Sequence, residues 1–295
     1  MVKFFSPSKI IKVKNMVFIL PAMAINLVFF VFPFFQSIYM SFFNWQLLGD
    51  KVFIGLDNYL KAFSDQKFLS TLIFTLKYAV LVTPCLFILA FILALLVNHT
   101  FKGVGIFRTV YFAPVVISLT TCSMIWIWIY NDLYGILNYI LINLGLIENN
   151  IVWMGTAKTS LPAIVYMITW KMAGFTMLIL LSAFHSVDEQ IYEASDIDGA
   201  NAVQKFFRIT LPLIKSYVGL AMVISVIGSV LAFEQFSIMT KGGPSSTTTT
   251  IVHYIYNTSF KYFNFGYGSS MSMLLLILLA ILSWFEVKVL KDPTE

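Results

Sequence analysis

Charged and polar side chains inside apolar stretches are the residues of this chain whose chemistry is most informative. Lys171 and Glu234 each lie in a run of mostly apolar residues, with Trp170 and Phe175 near the lysine and Gln235 directly after the glutamate. A charge at membrane depth is costly, so by default it marks a ligand or ion path. Aromatic faces together with polar groups suit a hydroxylated ligand. We expect these five residues to line a solute path, unless the two charges form a buried ion pair or Lys171 contacts another subunit.

Sequence motifs for catalysis or metal binding are absent. His99, His185 and His253 share no metal-binding spacing, and no G-x-x-x-x-G-K-[ST] phosphate loop occurs. No G-x-S-G and no apolar run with two aspartates is present, which disfavours an intramembrane protease. We therefore predict no catalytic residue, no metal site and no cofactor in this chain.

The composition indicates a polytopic membrane protein. Of 295 residues, 59% are hydrophobic and 11% are charged, whereas soluble domains carry about 25% charged residues. A membrane-crossing helix takes about 20 mostly apolar residues. Six such runs are predicted, at Val17–Tyr39, Phe68–Val97, Thr109–Tyr130, Leu161–Phe184, Leu213–Gln235 and Tyr267–Phe285. The shorter apolar segment Leu133–Ile147 is predicted to be an interfacial or re-entrant helix.

The distribution of basic residues between the loops predicts the orientation, because cytoplasmic loops carry an excess of Lys and Arg. One side of the membrane holds 11 of the 19 basic residues, the other side holds 6, and Lys77 and Lys171 lie within spans. The richer side contains Lys3, Lys9, Lys12, Lys14, Lys102, Arg108, Lys205, Arg208, Lys215, Lys288 and Lys291. We therefore expect both termini, and the loops between spans two and three and between spans four and five, to be cytoplasmic.

The loop between the fourth and fifth spans is unusual, because five acids and two bases lie between Asp188 and Pro212. Ser186 and Glu189 have the spacing of a helix capping box, and Gly199 suits the end of a short helix. Asp198 is predicted to cap a second helix. The apolar face of that helix comprises Val203, Phe206, Phe207 and Thr210, spaced i, i+3, i+4 and i+7.

This loop also carries a recognisable motif. Glu193-Ala194-Ser195-x-x-x-Gly199 is followed after nine residues by Ile209-x-Leu211-Pro212. It resembles the EAA loop of ABC-importer permeases, with Ser195 replacing the second alanine of the family pattern. Asp198-Gly199-Ala200 is the form typical of the carbohydrate branch.

Other segments extend the resemblance over nearly the whole chain. Ile54–Tyr59 with Phe63 is similar to the first external loop of sugar-type permeases of the maltose and glycerol-phosphate kind. Segments between the last two spans also match: Phe233–Phe236, Gly242-Gly243-Pro244, Thr247–Thr250, Tyr254–Tyr256 and Phe260. The resemblance implies an all-α, six-span, type I ABC importer subunit. We expect one permease domain over residues 1–295, with a core at about 70–285 and the EAA coupling loop at 186–212.

The resemblance also implies partners and roles. It implies a second, homologous permease, two ATPase subunits that bind ATP and Mg²⁺, and an extracellular sugar-binding protein. Membrane lipid is the expected surrounding of the spans. The net charge of +5 is attributed to the excess of basic residues in cytoplasmic loops, and no nucleic-acid partner is expected. The coupling residues carried over are Glu193, Ala194, Ser195, Asp198, Gly199, Ala200, Ile209, Leu211 and Pro212. Positions corresponding to Trp170, Lys171, Phe175, Glu234 and Gln235, and to Tyr111 in the third span, line the sugar site of the maltose-type family. Lys171 departs from the usual apolar residue there, which suits an acidic sugar, a pair with Glu234 or a contact with the partner permease.

An ion-coupled secondary transporter or a channel without an ATPase partner is the alternative function. Such proteins also combine several spans with intramembrane charge. Secondary transporters often contain internal repeats, and none is visible in this sequence.

Overall fold

The computed structural model describes residues 18–98 and 101–290. Several residues used above lie outside this part of the chain: Lys3, Lys9, Lys12, Lys14, Val17, His99 and Lys291. The cytoplasmic placement of the termini therefore stays a prediction.

The described chain is mostly helical. The helices are α1 (Phe18–Ser41), α2 (Asp57–Ser64), α3 (Gln66–Asn98), α4 (Val104–Val116), α5 (Leu119–Ile129), α6 (Ile136–Asn143), α7 (Ala157–His185), α8 (Glu189–Ile197), α9 (Ala202–Lys205), α10 (Leu211–Leu213), α11 (Lys215–Val230), α12 (Glu234–Met239), α13 (Ile251–Tyr256) and α14 (Phe265–Leu290). Single π-helical turns lie within α1, between α9 and α10, and after α13.

The six predicted spans each fall on helical structure. Within the described residues, five segments are long and apolar enough to cross a membrane, and a sixth is counted if a bent pair forms one span. The five are α1, α3, α7, the α11–α12 segment Lys215–Met239, and α14 up to Val289. The membrane-protein prediction is confirmed, and the predicted span boundaries differ from the structure by only a few residues. The short helix α6 occupies the middle of the segment predicted to be interfacial.

The third predicted span, Thr109–Tyr130, is not one straight helix. It consists of α4 and α5, which meet at 97°. Ile117 is extended between them, and the Ser118 hydroxyl accepts a hydrogen bond from the Thr121 amide at 3.1 Å to begin α5. Hydropathy counts apolar residues and does not register an N-cap inside an apolar run, so the sequence predicted a continuous span.

The chain divides into two units, of which the first comprises Met1–Asp65 and Ile255–Leu275. It contains a two-stranded antiparallel hairpin, β1 (Phe43–Asn44) and β2 (Val52–Phe53). The Asn58 side chain on α2 donates hydrogen bonds to the carbonyl oxygens of Ser41 and Phe43, both at 2.9 Å. The Tyr267 hydroxyl donates to the Asp65 carboxylate at 2.7 Å. The bonds of Asn58 connect α2 to the end of α1 and to the hairpin. The bond between Tyr267 and Asp65 connects the start of α14 to the end of α2.

The second unit, Gln66–Tyr254 and Leu276–Glu295, has α7 at its centre. In the most apolar window of α7, 61% of residues are buried, against none in α1. Two apolar clusters flank α7. One includes Tyr78, Trp126, Met167 and Phe236, and the other includes Ala90, Met177, Leu180, Phe184 and Ile214. Because α7 packs against α3, α4 and α11, side chains on several of its faces lie in the interior of this unit.

Candidate functional site

The acidic loop between α7 and α11 forms two short helices, and its first cap differs from the prediction. The Asp188 carboxylate accepts a hydrogen bond from the Gln190 amide at 3.0 Å and begins α8. The Ser186 hydroxyl instead donates to the Ala183 carbonyl at 2.7 Å, in the last turn of α7. The predicted Ser186–Glu189 capping box is therefore wrong, because α7 continues far enough to include Ser186 in its own C-terminal turn.

Gly199 ends α8 as the sequence predicts. Its φ is +76°, and it donates to the Asp196 carbonyl at 3.1 Å while Ala200 donates to the Ser195 carbonyl at 3.0 Å. This pair of bonds is a Schellman motif, which requires a left-handed residue that glycine adopts without steric cost. Asp198 is the C-cap residue of α8 and not the N-cap of the next helix.

The second helix begins at Asn201. Its side chain accepts from the Gln204 amide at 2.9 Å, and the Gln204 side chain accepts from the Asn201 amide at 3.0 Å. This reciprocal capping box replaces the predicted cap by Asp198. The cap lies two residues beyond Gly199 because the Schellman turn itself uses Ala200.

Two interactions join the two halves of this loop into a stiff unit, which we call the coupling hairpin (residues 186–212) after the role that the sequence predicts for it. The Tyr192 hydroxyl and the Thr210 hydroxyl share a hydrogen bond of 2.9 Å. Lys205 forms an ion pair with Asp196. Within α8, the buried Ser195 hydroxyl donates to the Tyr192 backbone carbonyl at 2.7 Å.

The predicted apolar face of the second helix is only half buried. Phe206 packs edge-on against Phe91 with ring centroids 6.0 Å apart, and Thr210 is buried. Val203 and Phe207 are exposed. A π-helical turn at Phe206–Thr210 changes the residue spacing, and the i, i+3, i+4 pattern assumes a regular α-helix throughout.

The outer surface of the coupling hairpin is exposed and partly apolar. Ile197 is 87% exposed and Val203 is 65% exposed, which is unusual for large apolar side chains in a segment outside the spans. Of the predicted coupling residues, Glu193, Ala194, Asp198, Gly199 and Pro212 are exposed, Ser195 is buried, and Ala200, Ile209 and Leu211 are half-buried. A shallow groove is lined by Asp188, Gln190, Ile191, Ala194, Ser195, Asp198 and Ile209.

The second unit also contains a partly open cavity of about 560 Å³ among its spans. Four of the six predicted solute-path residues line it: Lys171, Phe175, Glu234 and Gln235. The other two do not. Trp170 is 40% exposed and packs edge-on against Trp126, and Tyr111 packs near Phe107. In a helix, neighbouring residues point about 100° apart, so Trp170 turns away from the interior that Lys171 faces.

Polar groups in this cavity include some that the sequence interpretation missed. The buried Gln235 side chain donates from Nε2 to the Tyr78 hydroxyl at 3.3 Å, while its Oε1 has no hydrogen-bond partner among the described residues. The Glu234 carboxylate accepts from the Thr120 hydroxyl at 2.8 Å. Tyr78, Ser118 and Ser229 also line the cavity. In the sequence, these residues are distinguished only by a hydroxyl group within an apolar run. Many residues with a purely structural role have the same feature, so the sequence does not single out these three.

Lys171 is buried, and its ammonium group contacts backbone. Nζ donates to the carbonyl oxygens of Pro114 and Val115, both at 3.2 Å, and of Ile117 at 2.6 Å. Among the ion pairs of the described residues, none joins Lys171 to Glu234. The Lys171–Glu234 ion pair, one of the alternatives that the sequence suggested, is therefore absent from this conformation.

Comparisons with known proteins agree on one family. Residues 59–290 match the family described as binding-protein-dependent transport system inner membrane component. The chain is 31% identical to the probable ABC transporter permease protein YurN of Bacillus subtilis (strain 168), over 96% of this chain and 98% of the relative. It is 30% identical to the multiple sugar-binding transport system permease protein MsmF of Streptococcus mutans, over 93% and 94% of the two chains. It is 31% identical to the trehalose/maltose transport system permease protein MalF of Thermococcus litoralis, over 92% and 91%.

The fold has a close counterpart among solved structures. A chain in the crystal structure of a bacterial ABC transporter involved in the import of the acidic polysaccharide alginate superposes with a TM-score of 0.83. The match covers 97% of this chain and 99% of that chain at 22% identity. At this identity the likeness establishes the fold.

Proposed function

The chain belongs to the family of binding-protein-dependent transport system inner membrane components, and from this membership we propose that it is the permease subunit of an ATP-driven importer of sugars. It forms part of a translocation path in the membrane. The ion-coupled transporter and the channel are not favoured, because YurN is named as a probable ABC transporter permease and MsmF and MalF as permease proteins of sugar transport systems.

The cavity lining is the observation that supports a carbohydrate as the substrate. Relatives named for trehalose/maltose and for multiple sugars support a carbohydrate. Phe175 supplies an aromatic face, and Gln235 supplies a buried acceptor oxygen with no protein partner among the described residues. A buried polar atom without a partner is costly, and a sugar hydroxyl in the cavity would satisfy it. We assign Phe175, Glu234 and Gln235 to the solute path.

The coupling hairpin is proposed to dock on a separate ATPase subunit. Glu193 and Asp198 present negative charge and Ile197 an apolar side chain on its exposed surface, which fits a groove with basic and apolar residues. The internal bonds of the hairpin suit a rigid lever that transmits movement to α7 and α11. ATP and Mg²⁺ would be bound by the ATPase subunits, and this chain would contribute no cofactor of its own.

The assembly proposed here has further parts. A second, homologous permease completes the path, and an extracellular sugar-binding protein delivers the solute. The coupling hairpin and both termini face the cytoplasm, in keeping with the excess of basic residues on that side. The chain resides in a bacterial inner membrane as a multi-pass protein.

The decisive experiment compares uptake with and without the ATPase subunits. Proteoliposomes containing both permeases, the ATPases and the binding protein should accumulate sugar only when ATP is supplied on the ATPase side. Uptake driven by an ion gradient across vesicles that contain this chain alone would overturn the proposal.

Docking is tested separately by charge reversal. Glu193→Lys should reduce the amount of ATPase that co-purifies with the permease, because it places a positive charge against a basic groove. Glu148→Lys is the matched control, since Glu148 is also exposed but lies outside the coupling hairpin. Equal recovery of ATPase with both variants would refute the docking role of Glu193.

A further inference from the structure

The contacts of Lys171 converge on the break in the third span. Pro114 and Val115 lie in the last turn of α4, and Ile117 is the residue that ends it. The last carbonyls of a helix have no partner within that helix. The Lys171 ammonium has three N–H donors, and three carbonyl oxygens lie within hydrogen-bond distance of it.

The location of these carbonyls explains the need for such a partner. Pro114 is buried and Val115 and Ile117 are half-buried among the spans, and a buried backbone carbonyl without a hydrogen-bond partner is costly. A cation is also the favourable charge at a helix C-terminus. Lys171 therefore satisfies backbone groups that the 97° bend between α4 and α5 leaves open.

A second contact between α7 and α4 lies one turn further along. A Cβ atom at Gly174 would overlap the Tyr111 carbonyl oxygen and come within 2.9 Å of the Phe112 Cα. Only glycine permits this approach of the two backbones. Lys171 and Gly174, spaced i and i+3, therefore lie on the same face of α7 and hold the carboxyl-terminal half of α4.

We propose that Lys171 is a positioning residue: its ammonium group caps the carboxyl end of α4 and holds the bend between α4 and α5, which forms one wall of the cavity. Its donors are directed to the protein backbone, and the charge is not a recognition group for an acidic solute. The Glu234 carboxylate, the other charge lining the cavity, accepts from the Thr120 hydroxyl. This role does not depend on which solute is transported.

The bend is measured directly as a distance between spin labels in the assembled transporter. The labels are placed on cysteines introduced at Val110 on α4 and Ile125 on α5, both exposed, after Cys85 and Cys122 are changed to alanine. Lys171→Met keeps an unbranched side chain only one atom shorter and removes its donors. It should shift and broaden the distance distribution, whereas Lys171→Arg, which keeps donors, should restore the narrow wild-type peak.

Lys77→Met is the matched control, because it removes an exposed lysine from another span. It should leave the distribution unchanged. A wild-type distribution in Lys171→Met, or equal broadening in Lys171→Met and Lys77→Met, overturns the proposal. If Lys171→Met does not assemble, Lys171→Gln is measured instead. It keeps two donors and should shift the peak part of the way, and an unshifted peak with this variant overturns the proposal as well.

Discussion

Replacing Gly199 with valine tests whether the coupling hairpin works as a rigid lever. Gly199 has φ +76°, and a Cβ atom there would meet nothing within 4 Å. The substitution therefore adds backbone strain without a steric clash against neighbouring groups. A left-handed conformation costs an L-residue roughly 1–2 kcal/mol, which corresponds to about a 5- to 30-fold smaller population of the native turn.

The expected result is uncoupling. In the reconstituted transporter, Gly199→Val should lower the number of solute molecules transported per ATP hydrolysed, while ATPase subunits still co-purify. Gly199→Asn should recover much of the coupling, because asparagine tolerates the left-handed region. The measurement is parallel uptake and phosphate release in the same proteoliposomes.

A matched control separates strain in the coupling hairpin from strain elsewhere. Gly103 also has a positive φ, +93°, and open space around its Cβ position, but it lies in the turn before α4. Gly103→Val should leave the transport-to-hydrolysis ratio unchanged. Normal coupling in Gly199→Val, or an equal loss in Gly199→Asn, would refute the reasoning.

Three further substitutions test other contacts. Gly174→Val should lower the melting temperature markedly, because overpacking at this backbone contact costs roughly 1–3 kcal/mol or more. Gly228→Ala is its control, because a Cβ atom at Gly228 meets nothing within 4 Å. Equal melting temperatures of the two variants would contradict the tight approach of α7 to α4. Gln235→Leu should raise the half-saturation concentration for sugar uptake about 2- to 13-fold, the equivalent of one hydrogen bond of about 0.5–1.5 kcal/mol, and unchanged kinetics would remove Gln235 from the solute path. Tyr192→Phe deletes the hydroxyl that bonds Thr210. It should speed hydrogen exchange of the coupling-hairpin amides about 2- to 13-fold, the same factor for one hydrogen bond. Unaltered exchange would show that this bond does not hold the two halves of the hairpin together.

Predictions from the sequence succeeded where the cause was local. Gly199 ends α8 because the turn needs a left-handed residue, and five of the six predicted spans are single described segments that are long and apolar enough to cross a bilayer. The caps were less predictable. Ser186, Asp188 and Asn201 are all good capping residues, and which of them begins a helix depends on where α7 ends and on how the Schellman turn uses Ala200.

The solute-path candidates show the same division between features that the sequence predicts and features that depend on tertiary packing. Lys171, Phe175, Glu234 and Gln235 line one cavity, while Trp170 and Tyr111 do not. Polarity within a span identifies a residue that needs a partner. It does not say which face of the helix points inward, because that depends on the neighbouring helices.

The amino-acid sequence alone specifies that this chain belongs in a bilayer and that its acidic loop turns at Gly199, since hydropathy and backbone preference are properties of short segments. Folding in three dimensions settles what Lys171 does. Its ammonium group donates to carbonyl oxygens 54 to 57 residues away in the chain, at a bend that the hydropathy pattern does not predict. A lysine in a span requires hydrogen-bond acceptors, and packing of α7 against α4 selects the backbone of the broken span to provide them.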